Sequence, residues 1–158
     1  MLIADYAVAD AAGKVNVIGG GLTGLGRNPS TGLTPPFALF VSVSVPPHLY
    51  NAECSVEIIL EDAGGTLVAL PGLAPGLPPQ PVRVGQAVRF SEPRFPQPVN
   101  APARFLPART QWAMSFSPGL PLAEGQGYMW RVKIDDEANE EWTERFVVLG
   151  NVAGPVLG

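Results

Sequence analysis

The sequence predicts an all-β protein, a β-sandwich of about seven to eight short antiparallel strands in a single domain spanning residues 1–158. Three observations carry this. Apolar residues recur with a period of two in several segments, the spacing that places alternate side chains on one face of a strand. The chain holds eighteen glycines and eighteen prolines, residues that weaken helix interiors and suit turns. No long stretch shows the 3.6-residue period of an amphipathic helix. Hydrophobic residues make up 46% of the chain and charged residues 15%, unlike a disordered protein, and the length suffices for one core without metals or disulfides.

Residues 2–8 (Leu-Ile-Ala-Asp-Tyr-Ala-Val) form the first expected strand. A short connection carrying Gly13 leads to a second at residues 15–18, and the two read as a hairpin. Residues 37–45 put Phe37, Leu39, Val41, Val43 and Val45 on one face before Pro46-Pro47 stops the strand. Cys54, Val56, Ile58 and Leu60 then alternate with Glu53, Ser55, Glu57 and Glu61, giving one dry face and one wet face. Asp62-Ala63-Gly64-Gly65 turns the chain into a strand over residues 66–70.

Twelve of the eighteen prolines fall within residues 71–121. That segment reads as a Pro-rich loop or contact arm, with short edge strands at 87–90 and 111–116. Alternation returns where Tyr128, Trp130, Val132 and Ile134 interleave with Met129, Arg131, Lys133 and Asp135. After an acidic turn, Trp142, Glu144, Phe146 and Val148 share one side of the returning strand. Trp130 and Trp142 are therefore expected to be structural, anchoring one sheet on another.

Gly19, Gly21 and Gly24 follow a strand with the G-x-G-x-x-G spacing of dinucleotide-binding sites. That chemistry requires a helix to begin there, so that its N–H groups meet the pyrophosphate, and an acid further on for the ribose hydroxyls. Gly26, Pro29, Gly32, Pro35 and Pro36 leave no room for such a helix, and no Asp or Glu lies between Asp10 and Glu53. Gly19, Gly20 and Gly21 are accordingly assigned a structural role, as a tight turn, a bulge or a point of close backbone approach. No cofactor is expected.

His48 is the only histidine and lies beyond Pro46-Pro47 with no nucleophile motif beside it, so it reads as a turn residue rather than a catalytic base. Cys54 is the only cysteine and reads as a small core residue. One Cys and one His cannot make a Cys-His zinc cage, and no metal site is expected. Asp135, Asp136 and Glu137, followed by Glu140 and Glu141, lack the glycine and ligand spacing of a calcium loop and read as a solvated hairpin turn. No enzymatic activity is expected. A net charge of −4 argues against a broad nucleic-acid-binding face. The local basic excess of Arg83, Arg89, Arg94, Arg104 and Arg109 is interleaved with proline. These arginines, with the acidic group Asp135, Asp136 and Glu137, are the candidate contacts for a protein partner. The N-terminus lacks a basic leader and no apolar run approaches the ~20 residues of a bilayer span, which predicts a soluble chain made in the cytoplasm.

Leu2-Ile3-Ala4-Asp5-Tyr6-Ala7, then Gly13-Lys14, Asn16 and Gly19-Gly20-Gly21, with a closing Tyr128-x-Trp130-Arg131-Val132-x-Ile134-Asp135 and Trp142-x-x-x-Phe146-x-Val148, resembles an uncharacterised family of small β-rich proteins, a domain of unknown function found in bacterial and bacteriophage genomes. The resemblance covers the two ends of the chain. It implies a small β-rich domain and supplies no catalytic residues. The phage association leads to the expectation of a non-enzymatic virion component, such as a capsid decoration or head-tail protein, either homo-oligomeric or bound to capsid or tail subunits. The alternative is a soluble β-sandwich module of a bacterial cell that binds a ligand or peptide at a sandwich end or an exposed strand edge.

Overall fold

The computed structural model describes residues 1–10, 13–71, 76–93, 102 and 104–150. In chain order the strands are β1 (Leu2–Ala4), β2 (Tyr6–Ala9), β3 (Val15–Ile18), β4 (Gly24–Leu25), β5 (Phe37–Val45), β6 (Glu53–Asp62), β7 (Ala69–Leu70), β8 (Gln80–Pro81), β9 (Arg83–Arg89), β10 (Ala108–Phe116), β11 (Gly127–Ile134) and β12 (Glu137–Val148). One 3-10 turn, Pro47–Leu49, is the only helical element among the described residues. The protein is all-β, as its periodicity predicts.

Five strands form one sheet in the order β4-β12-β11-β6-β9, and three form another in the order β1-β5-β10. Two further ribbons, β2-β3 and β7-β8, lie outside these sheets. All pairings are antiparallel except β4 with β12, which is parallel and places Val147 beside Gly24 and Val148 beside Leu25. The sequence pointed to antiparallel strands throughout. β4 departs from that because a long connection, not a hairpin, carries it to β12, and such a connection permits either direction.

One core joins the two sheets. On β11 and β6, Trp130 stands opposite Leu60, Val132 opposite Ile58 and Ile134 opposite Val56. On the smaller sheet, Phe37 faces Phe116, Leu39 faces Met114, and Ile3 lies beside Leu39. Aromatic rings connect these layers. Phe37 stacks on Phe116 with centroids 4.8 Å apart, Phe116 lies 5.2 Å from Trp130, and Phe37 lies 6.4 Å from Phe146. Tyr128 stacks on Phe146 at 5.6 Å, and its hydroxyl accepts the amide of Ala123 at 2.9 Å. Trp130 is 1% exposed. Its Nε1 has no hydrogen-bond partner, an unmet donor that costs about 1–3 kcal/mol against the large gain from burying the ring.

Particular segments differ from the expectation for local reasons. The apolar run of residues 2–8 is two strands, because the chain bends at Asp5 and passes from the three-stranded sheet into the β2-β3 ribbon. Among the described residues, eight strands make the two facing sheets and four more form the two accessory ribbons. Within residues 71–121, the described strands β9 and β10 belong to the five-stranded and three-stranded sheets, longer than the short edge strands expected there, while residues 72–75, 94–101 and 103 of that segment lie outside the described residues. No proline lies within residues 82–92 or 108–117, so both strands keep every backbone donor and the prolines mark their ends.

Trp142 is a further case. Lys133 pairs with Ala138 while Arg131 pairs with Thr143, so residues 139–142 stand against Val132 alone. This wide bulge, braced by the Asn139 carboxamide on the Glu141 amide and the Thr143 hydroxyl on the Glu140 carbonyl, lifts Trp142 to the rim of the core, where it is 36% exposed. The two tryptophans should therefore separate in a denaturant titration. Trp130→Ala is expected to lose about 3–5 kcal/mol of unfolding free energy, and Trp142→Ala markedly less. Equal losses would contradict the placement of the bulge.

Candidate functional site

The glycine segment connects β3 to β4. Gly19 has φ of +65° and Gly21 of +90°. A Cβ at Gly19 would lie 2.0 Å from Asp5 Oδ2, so the absence of a side chain lets the bend at Asp5 close against it. A Cβ at Gly20 would lie 3.2 Å from Leu2. The amides of Gly21 and Leu22 both donate to the carbonyl of Ile3, at 2.8 and 3.1 Å. Beyond them the chain continues as extended backbone into β4, not as a helix, so these N–H groups serve the fold.

The sequence-derived contact residues do not form one patch. Arg83 and Arg89 project from the outer face of β9, where Arg83 pairs with Glu57 and Arg89 Nε donates to the Asn51 carbonyl at 3.2 Å. Arg109 lies on the outer face of the other sheet and donates to Ser44 Oγ at 3.2 Å. Arg104 borders a shallow cleft with Tyr50, Glu92 and Phe105, and Arg94 lies outside the described residues. Asp135 and Asp136, at φ of +51° and +65°, form the tight turn between β11 and β12 that ends at Glu137. Asp135 is held in the fold: its amide donates to the Ser55 carbonyl at 2.8 Å, and its Oδ1 accepts the Ser55 amide at 2.7 Å. Burial, helped by the Asp135 carboxylate, pushes the neighbouring Cys54 thiol up and keeps it protonated.

Charges on the outer face of the five-stranded sheet are largely paired with one another. Arg131 Nε meets Glu61 at 2.9 Å and its Nη1 meets Glu140 at 3.3 Å, while Arg145 reaches Glu140 at 3.6 Å. Among the described residues, no group of three or more His, Cys, Asp or Glu side chains could hold a metal ion. No helix there is long and apolar enough to cross a membrane.

Two surfaces stand out instead. The β2-β3 ribbon buries Ala7 against the rest of the protein, yet Tyr6, Val8 and Ile18 are 50%, 40% and 63% exposed. Tyr6 and Ile18 are directly opposed across the ribbon, and Val8 points to the same side as Tyr6. The second is a cleft of roughly 260 Å³ where the sheets part, lined by Val43 and Ser44 of β5, Val132 and Ile134 of β11, and Glu141 and Trp142 of the bulge. The sequence marked neither as a site. The available signal was a short ribbon apolar on both faces, with Ala7 and Val17 on one and Tyr6, Val8 and Ile18 on the other.

No family model, curated protein or solved structure matches this chain.

Glu144 stands opposite Trp130 on β12. Desolvation holds its carboxyl above the usual glutamate range, against the opposing pull of the Met1 α-ammonium. The native state thus binds this proton more tightly than the unfolded chain does. Its contribution makes stability fall as pH rises from the ordinary glutamate range through the raised native value, and then level off. Glu144→Gln is expected to flatten that fall and to stabilise the protein at neutral pH. Unfolding midpoints measured against pH check this, and an unchanged slope would contradict it.

Proposed function

We propose that this chain is a β-sandwich assembly protein without catalytic activity, which docks on neighbouring protein subunits of a larger shell, as a bacteriophage capsid decoration or head-tail component does. The observation that carries the reading is the exposed face of Tyr6, Val8 and Ile18 on a ribbon that belongs to neither main sheet. A lone monomer gains nothing from holding large apolar side chains in water, whereas a subunit interface does. The ribbon is supported from behind by Ala7, so it would meet a partner already ordered and with little entropy left to lose. The resemblance of the chain ends to proteins of bacterial and phage genomes supports the same reading and motivates the choice of partner.

Light scattering behind a sizing column, with and without candidate capsid shells, tests this. The wild-type chain is expected to bind shells stoichiometrically. Tyr6→Ser with Ile18→Ser should abolish binding while leaving the unfolding midpoint nearly unchanged, because both side chains are already half in water. A chain that ignores the shells, or a variant that binds them as well as wild type, would contradict the proposal.

A further inference from the structure

The two edges of β5 differ. Along one edge β10 pairs with the whole strand, from Phe37 to Val45. Along the other, β1 reaches only from Ala38 to Phe40. The direction of the free groups follows from Ile3, whose carbonyl is taken by the amides of Gly21 and Leu22 on the far side of β1. The β1-β5 ladder therefore runs through Leu2 with Phe40 and Ala4 with Ala38. Backbone groups alternate in direction along a strand. Ser42 and Ser44 thus turn their N–H and C=O groups to the same side as Ala38 and Phe40, where no described strand pairs with them. Val41, Val43 and Val45 turn theirs to β10.

This edge also lacks the usual protection. Natural edges carry charges, prolines or bulges that discourage pairing, but residues 41–45 are Val-Ser-Val-Ser-Val, and the first proline is Pro46. The cleft beside it is lined by valines, Ile134 and Trp142 together with Ser42 and Ser44, and the charged groups of its lining residues are the Glu141 carboxylate and the Met1 α-ammonium.

We propose that β5 pairs here with β5 of a second copy of this chain, antiparallel about a two-fold axis through Val43. The segment reads the same in both directions, so symmetric pairing is matched at every position. Ser42 meets Ser44 of the second copy and exchanges both backbone hydrogen bonds with it, and the symmetry repeats that pair. Val43 meets its own counterpart, and Val41 meets Val45 once Met1, which precedes Leu2 opposite Phe40 and borders the cleft, gives way. The valines extend the core face and the serines extend the outer face, which an isologous interface requires. Pro46 turns the incoming strand away where it would otherwise run into β1. Arg109 belongs to the next strand out on each copy and is held over β5 by its hydrogen bond to Ser44 Oγ at 3.2 Å, on the outer face rather than along the pairing edge. Trp142, partly exposed at the rim of the cleft, borders the joined strands.

Sedimentation equilibrium of the full chain over a wide concentration range tests the proposal, with two variants. Ser44→Pro deletes an edge donor without touching the β10 ladder, and Ser42→Lys places a charge on the edge. The wild type is expected to be a dimer and both variants monomers with near-native circular dichroism. If Ser44→Pro fails to fold, Ser42→Lys decides. A wild type that stays monomeric, or a folded variant that stays dimeric, overturns the proposal. The Tyr6→Ser, Ile18→Ser variant is expected to remain dimeric whether or not it binds shells, which separates self-pairing from shell docking. Its dissociation, with the edge variants still dimeric, would assign self-association to the ribbon instead.

Discussion

The contact on which the rest of this structure depends is the chain of rings from Phe37 through Phe116 to Trp130. Phe37 and Phe116 belong to the three-stranded sheet and Trp130 to the five-stranded one, so this contact fixes how the sheets face each other. Every inward side chain on β5, β6, β10 and β11 takes its neighbours from that alignment, and within each sheet a one-residue slip of a strand against its neighbour would turn that strand's apolar set to solvent. The same alignment leaves the sheets parted where β12 bulges, and so creates the cleft beside Ser42 and Ser44.

The outer faces of the two sheets have opposite character. The five-stranded sheet carries Glu57, Glu61, Arg83, Arg131 and Arg145, most of them in ion pairs, a surface suited to water. The three-stranded sheet shows Ala4, Ala38, Phe40, Ser42, Ser44 and Ala113 on its outer side, and Arg109 is the charged residue of its strands. The β2-β3 ribbon covers part of this neutral face and presents Tyr6, Val8 and Ile18 outward. Both surfaces argued to take partners thus belong to the side poorest in charge.

Much of the fold is legible in the sequence wherever a strand has one dry and one wet face. Residues 37–45 and 128–134 show it plainly, because core and solvent impose opposite demands on successive residues. β9 is less legible since it is a half-wet edge, with Val84 and Gln86 both exposed. The first half of β10 is masked by Pro107 and by the small residues Ala108 and Thr110. The bend at Asp5 and the bulge at residues 139–142 leave no periodic trace, because each depends on a partner strand distant in sequence. The arginines that composition singles out are dispersed over both sheets, and the docking surfaces lie in segments that read simply as strands. Exposure of an apolar face is a tertiary property, and local alternation does not report it.

Amide hydrogen exchange of the full chain, compared at dilute and concentrated protein and again with bound capsid shells, tests the assembly account most directly. It predicts added protection at Ser42 and Ser44 on self-association, and over residues 6–8 and 15–18 on shell binding, with the five-stranded sheet unchanged. Protection appearing instead on the outer face of β6, β9 and β11, or none at any concentration or with any shell, would contradict it.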